Sequence, residues 1–141
     1  MRVVIDTNVL FEGLTQQGGS ADLIIQAWLD ETVEVCVSTA LAYEYVDVLA
    51  RKLSPRRWSQ IRPVLGKLLA KTRYIDIYFS WRPISQDPRD EHVIDCAMNA
   101  NAVVITQNVK HFRNATKWLG LRVLTPLEFI KQGKARGEEK T

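Results

Sequence analysis

Five short runs of β-branched and other apolar residues constrain this chain more than any other feature. Arg2-Val3-Val4-Ile5-Asp6 comes first, and similar runs follow at residues 33–37, 74–79, 102–106 and 121–124. None alternates between apolar and polar, as a strand with one wet face would. A continuous apolar run suits a strand covered on both faces, the situation of a parallel sheet. The intervening segments carry helical spacing instead. Leu23, Ile24, Ala27 and Trp28 form one stripe, Leu41, Tyr45, Val48 and Leu49 a second, and Val93, Ile94, Ala97 and Met98 a third. Ser54-Pro55 starts a further helix, a Ser cap with Pro at the first position, which Pro63 is expected to bend or restart. Thr125-Pro126-Leu127-Glu128 is a capping box that opens a short last helix. Strand followed by helix, five times over, predicts an α/β fold: a three-layer α/β/α sandwich around a parallel sheet of about five strands. Each parallel crossover needs a dozen or more residues, and a helix supplies them.

A chain of 141 residues is the size of one domain. The expected boundaries are 1–132 for the domain and 133–141 for a flexible charged tail, where two glycines and five charges replace apolar periodicity. An apolar share of 46% with four Trp excludes an intrinsically disordered chain. No run of 18 apolar residues is present and the N-terminus reads as a strand rather than a targeting segment, so a soluble, cytoplasmic protein is expected. Cys36 and Cys96 stand 60 residues apart in apolar settings without metal-ligand spacing, and are read as buried free thiols. The formal charge of +3 conceals an uneven distribution. Residues 51 to 73 hold eight basic side chains and no acid, which leaves 11 basic against 16 acidic in the rest. A basic arm on an acidic body suits a polyanion such as nucleic acid.

In parallel α/β sheets ligands bind beyond the carboxyl ends of the strands. Asp6 ends the first strand, and a carboxylate there is either an ordinary cap or a functional group. On the second helix the 100° step puts Glu44 roughly 60° from Leu41, at the border of the buried stripe, and turns Asp47 to solvent. Asp87-Pro88-Arg89-Asp90-Glu91 opens another helix. Asp87 fits an N-cap, whereas Asp90 continues the stripe of Ile94 and Ala97 toward the sheet edge, and Asp95 is turned about 140° from it. Asp6, Glu44 and Asp90 can therefore converge from three elements. Crowded carboxylates either rise in pKa or recruit a hard cation, and oxygen ligands without a His/Cys cluster suit Mg²⁺ or Mn²⁺. No P-loop or Gly-x-Gly-x-x-Gly follows a strand, which disfavours a phosphate-cofactor domain.

Asp6-Thr7-Asn8, Glu44 in Ser38-Thr39-Ala40-Leu41-Ala42-Tyr43-Glu44, Asp90 in its Asp-Pro-Arg-Asp-Glu run, and Thr106-Gln107-Asn108 after Val103-Val104-Ile105 together resemble the successive motifs of PIN-domain ribonucleases. The likeness extends over residues 1 to 132, and its nearest branch is the VapC-like toxins of bacterial toxin–antitoxin pairs. It implies a Mg²⁺- or Mn²⁺-dependent endoribonuclease, with Asp6, Glu44 and Asp90 as catalytic and metal residues. Thr7, Asn8, Thr106 and Asn108 would support them from behind. It also implies an RNA substrate, a cognate antitoxin and a homodimer. Arg51, Arg56, Arg57, Arg62 and Lys110 are the candidate RNA contacts, and Trp58 can either stack on a base or join the apolar side of its helix. One departure stands out: the fourth acid common in the family is missing, with Asn108 and His111 at the two positions where it occurs. The resemblance therefore also admits a catalytically weakened RNA-binding or protein-interaction module. His111 can bind phosphate, move a proton or be an ordinary surface residue.

Overall fold

The computed structural model describes residues 1–85 and 87–139, with side chains to residue 133. Five strands, β1 (Arg2–Ile5), β2 (Glu34–Val37), β3 (Arg73–Tyr74), β4 (Val103–Ile105) and β5 (Val123–Leu124), form one parallel sheet in the order β3-β2-β1-β4-β5. The helices are α1 (Thr7–Thr15), α2 (Ser20–Leu29), α3 (Thr39–Lys52), α4 (Pro55–Ala70), α5 (Pro88–Ala100), α6 (Arg113–Leu119) and α7 (Pro126–Glu139), with a 3-10 turn over Val109–Phe112. The architecture is the expected α/β/α sandwich.

Burial along the strands follows from that order. The apolar residues of β1, β2 and β4 lie in the middle of the sheet and are buried, whereas the edge strands β3 and β5 are exposed or half-buried. Trp28, Tyr45 and Phe112 are the largest fully buried side chains. Tyr45 donates its hydroxyl hydrogen to the carbonyl of Ile5 and so ties α3 to the end of β1. Cys36 and Cys96 are buried free thiols, and Trp58 is half-buried against the core. Among the described residues, no helix is long and apolar enough to cross a membrane.

Several local expectations need correction. The run at 74–79 is not a strand beyond its first residue. One more backbone bond, from Ile75 N–H to Val37 O at 2.8 Å, extends the pairing, after which the chain leaves the sheet and Tyr78 and Phe79 stand exposed. An edge position with one neighbour does not hold a long apolar run in register. Two helices, not one, lie between β1 and β2. The first, α1, begins on the Asp6 cap, and Gly13 lets it approach α2 closely: a Cβ there would stand 2.7 Å from the Ala21 carbonyl oxygen. Pro63 does not restart α4, which continues from Pro55 to Ala70. The caps were legible. Ser54 and Asp87 accept hydrogen bonds from backbone N–H groups at their helix starts, and Thr125 and Glu128 bond reciprocally at 3.0 and 3.1 Å. The last helix is longer than expected, reaching Glu139; the side chains of the expected tail from 134 onward lie outside the described residues.

Candidate active site

The connections run outward from β1 in both directions, to β2 and β3 on one side and β4 and β5 on the other. The crevice beyond the carboxyl ends of β1 and β4 is thus the topological switch point. Asp6 and Thr106 are the residues that leave these two strands. The ladder brings them side by side, Ile5 pairing with Ile105 and Asp6 N–H donating to Ile105 O at 2.9 Å. The Thr106 hydroxyl, fully buried, donates to Asp6 Oδ2 at 2.7 Å, and Thr7 N–H donates to Asp6 Oδ1 at 2.8 Å. Asp6 is both the cap of α1 and part of the lining of a cleft.

Glu44 approaches from α3, accepting a 2.7 Å hydrogen bond from the Thr7 hydroxyl. Asp47 faces solvent, paired with Arg51. Asp90, in the first turn of α5, is buried and accepts from the Ser85 hydroxyl at 3.2 Å. Asp6, Glu44 and Asp90 all line one open cleft of about 250 Å³, together with Thr7, Asn8, Asn108 and His111. Asn8 holds this edge together through its Nδ2, 3.4 Å from Asp6 Oδ2, and its Oδ1, which accepts from Gln107 N–H.

The electrostatics record the crowding. Burial raises the Asp6 carboxyl, opposed by the hydrogen bond from Thr106; burial also raises Glu44, opposed by Thr7 and reinforced by the charge of Asp6. Asp90 is pushed up to about 6, first by burial and then by the charges of Asp6 and Asp87. Asp87 goes the opposite way, since the Arg89 guanidinium hydrogen-bonds both its oxygens and holds the carboxyl low. Three desolvated carboxyls that resist ionising beside one another are stabilised in their charged forms by a cation held among them.

The donor chemistry suits a divalent cation, with carboxylate oxygens, an imidazole and no thiol. The distances add a distinction absent from the sequence. Among the described residues, the set with ligand atoms all within 4.8 Å of one another is Asp87, Asp90 and His111. Asp6 and Glu44 share the cleft with Asp90 but do not form so close a trio with it. Asp87, expected only as a cap, caps α5 and also lines the cleft. Sequence reasoning missed Arg89, which lines the cleft with Phe11 and Lys52; its only signal was its place between two acids that face the same space. Of the candidate RNA contacts, Arg51 lines this cleft. Lys110 lines a second one of about 580 Å³ that shares Asp87, Arg89, Asp90 and His111 with the first and adds Arg113. Arg56, Arg57 and Arg62 are exposed on α4 and line neither.

Residues 2–110 match the family model of the PIN domain, so this chain belongs to the PIN-domain family. No curated protein matches the chain. Solved structures with the same fold include VapBC2 from Rickettsia felis bound to a DNA fragment from their promoter, 15% identical with a TM-score of 0.65, aligned over 89% of this chain and 98% of that one. VapBC-1 from nontypeable Haemophilus influenzae is 16% identical over 90% and 99%, with a TM-score of 0.60. FitAcB from Neisseria gonorrhoeae is 16% identical over 89% and 98%, also at 0.60.

Proposed function

We propose that this chain is a metal-dependent endoribonuclease that hydrolyses RNA phosphodiester bonds. The observation that carries the reading is the convergence of Asp6, Glu44 and Asp90, from β1, α3 and α5, on one cleft at the switch point of a PIN-domain sheet. Asp6, Glu44 and Asp90 would hold Mg²⁺ or Mn²⁺ directly or through water. When bound, such an ion lowers the pKa of a coordinated water and offsets charge developing on phosphate. The protein's own residues do the rest. Thr106 and Thr7 orient Asp6 and Glu44 through short hydrogen bonds and keep their charged forms accessible despite burial. Asn8 fixes the backbone of Gln107, and Asn108 is anchored by its N–H to the Thr106 hydroxyl at 3.0 Å, which leaves its amide, without a hydrogen bond among the described residues, to orient a water or a phosphate. Arg51 and Arg89 on the cleft wall, Lys110 in the adjoining cleft, and Arg56, Arg57 and Arg62 along α4 attract the RNA backbone toward a site whose own charge repels it.

The biological role we propose is that of a VapC-like toxin, cytoplasmic and homodimeric, and the solved relatives, named as VapBC and FitAB assemblies, support its restraint by a cognate antitoxin. The competing reading is a PIN-fold binding module without catalysis, favoured by Asn108 and His111 in the two places where the family carries a fourth acid. Purified protein incubated with RNA and Mg²⁺ or Mn²⁺ separates them. Cleavage abolished by chelator and by Asp6→Asn or Asp90→Asn, in variants that keep their fold, is expected. Binding without cleavage by the wild type, unchanged in the Asn variants, identifies the module.

A further inference from the structure

His111 enters the cleft from the 3-10 turn that follows β4, and its Nδ1 stands 3.4 Å from Asp90 Oδ2. Asp87, Asp90 and His111 each offer a ligand atom within 4.8 Å of the other two, a compactness that the all-carboxylate trio lacks. The backbone fixes this placement. His111 N–H donates to Asn108 O at 3.0 Å, and the Ser85 hydroxyl bridges Asp90 Oδ2 and the His111 carbonyl. His111 is thereby set beside the carboxylate rather than swinging free on a loop. The side chain is half-exposed, so its ring can turn toward an ion without unpacking the core.

We infer that His111 is a nitrogen ligand in this chain's cation site, joining Asp90 and Asp87 where a purely acidic site would have a further carboxylate, and that the site accordingly favours Mn²⁺ over Mg²⁺. Asn108, the other side chain at this corner, offers only an amide oxygen, a weaker donor to a transition ion than the neutral imidazole nitrogen of His111. The preference follows from ligand chemistry. Mg²⁺ binds oxygen in near-ideal octahedra and keeps its waters, whereas first-row transition ions accept imidazole readily and tolerate less regular geometry. The inference rests on reading the cleft as a metal site, but it does not depend on the substrate or on turnover.

The chain has two histidines, His92 and His111, so an imidazole signal at the ion can be assigned by two substitutions. His92 is engaged elsewhere, its Nδ1 3.2 Å from Arg82 Nη2. The probe is Mn²⁺ alone, added to the full chain without RNA and followed by pulsed electron paramagnetic resonance for nitrogen coupling and by titration calorimetry for affinity. The expected result is ¹⁴N coupling in the wild type that persists in His92→Asn and disappears in His111→Asn. His111→Asn should also weaken Mn²⁺ binding at least about tenfold, the loss that even an outer-shell partner carries, while Mg²⁺ binding changes less. Bound Mn²⁺ with no nitrogen coupling overturns the inference, as does coupling that survives His111→Asn or an absence of Mn²⁺ binding. RNA cleavage that persists under the first of these outcomes leaves the nuclease reading intact, which distinguishes the two failures.

Discussion

Asp87 and Asp90 lie three residues apart in one helix start, yet their environments push them in opposite directions. Arg89 stabilises the charge on Asp87, while burial and two neighbouring acids oppose it on Asp90. A carboxyl raised from 3.8 to about 6 on folding binds more protons in the native state than in the unfolded one between those values. Stability is therefore favoured while Asp90 is protonated, falls as pH rises from about 4 to about 6, and carries the full penalty above that. Asp6 and Glu44 are raised as well and act with the same sign. Without added metal, Asp90→Asn should make the fold more resistant to urea than the wild type at pH 8, and the gain should shrink as pH falls through about 6. A variant less stable than the wild type at pH 8 would show that hydrogen bonding to Ser85, not desolvated charge, governs this position. Of these residues, Asp6, Glu44 and Asp90 were readable from strand ends and helical steps. Asp87 was read only as a cap, since a local signal sufficient to explain it concealed the space it also faces.

The segment between β3 and α5 illustrates what pattern reading cannot reach. Its first part, to residue 79, reads as a strand because it is rich in Tyr, Ile and Phe, but residues 78–85 lie as a strap along α5, held by side chains one helical turn apart. Asn99 Oδ1 accepts from Tyr78 and Phe79 N–H, Asp95 binds Ser80 and Arg82, and Glu91 Oε1 accepts from Ile84 and Ser85 N–H. Asp95 and Glu91 are buried by this strap, although a helical wheel gives no reason for either to be. The strap ends at Ser85, the residue that donates to Asp90, so α5 carries both the acid and the ladder that supports it. Asn99→Ala removes the upper tie without leaving a buried charge. Amide exchange at Tyr78 and Phe79 should quicken about tenfold or more, equivalent to about 1.4 kcal/mol of lost local protection, while Val4 and Val104 in the sheet stay protected. Unchanged exchange at Tyr78 and Phe79 would mean that apolar packing, not the ladder, holds the strap.

Across the molecule, the basic stretch that is continuous along the chain divides in space. Arg51 and Lys52 line the acidic cleft, with the Lys52 ammonium 5.4 Å from the Phe11 ring centre, whereas at the far end Lys71 binds the Leu29 carbonyl and Arg73 pairs with Glu34 at 3.1 Å. The charge asymmetry is real, but only part of it faces the site. If RNA follows the cleft, replacing Arg51 and Lys52 together by Ala should flatten the dependence of single-stranded RNA binding on salt by roughly 1.4 in log–log slope, about 0.7 for each phosphate no longer neutralised. The Lys71 and Arg73 pair should leave that slope unchanged. Equal effects from the two pairs would return the role to the whole stretch.

Local sequence is enough to define the layers of this protein, the central strands, most helix caps and the acids at the strand ends. Those features depend on burial periodicity and on hydrogen bonds spanning a few residues, and both are written in short stretches of chain. Three-dimensional packing alone makes β1 and β4 meet so that Thr106 clamps Asp6, buries Glu91 and Asp95 under the strap, and draws Asp87, Asp90 and His111 into a tighter set than Asp6, Glu44 and Asp90. Each of these joins residues from separate elements, and their distances are set by strand order and helix packing, which no local pattern records.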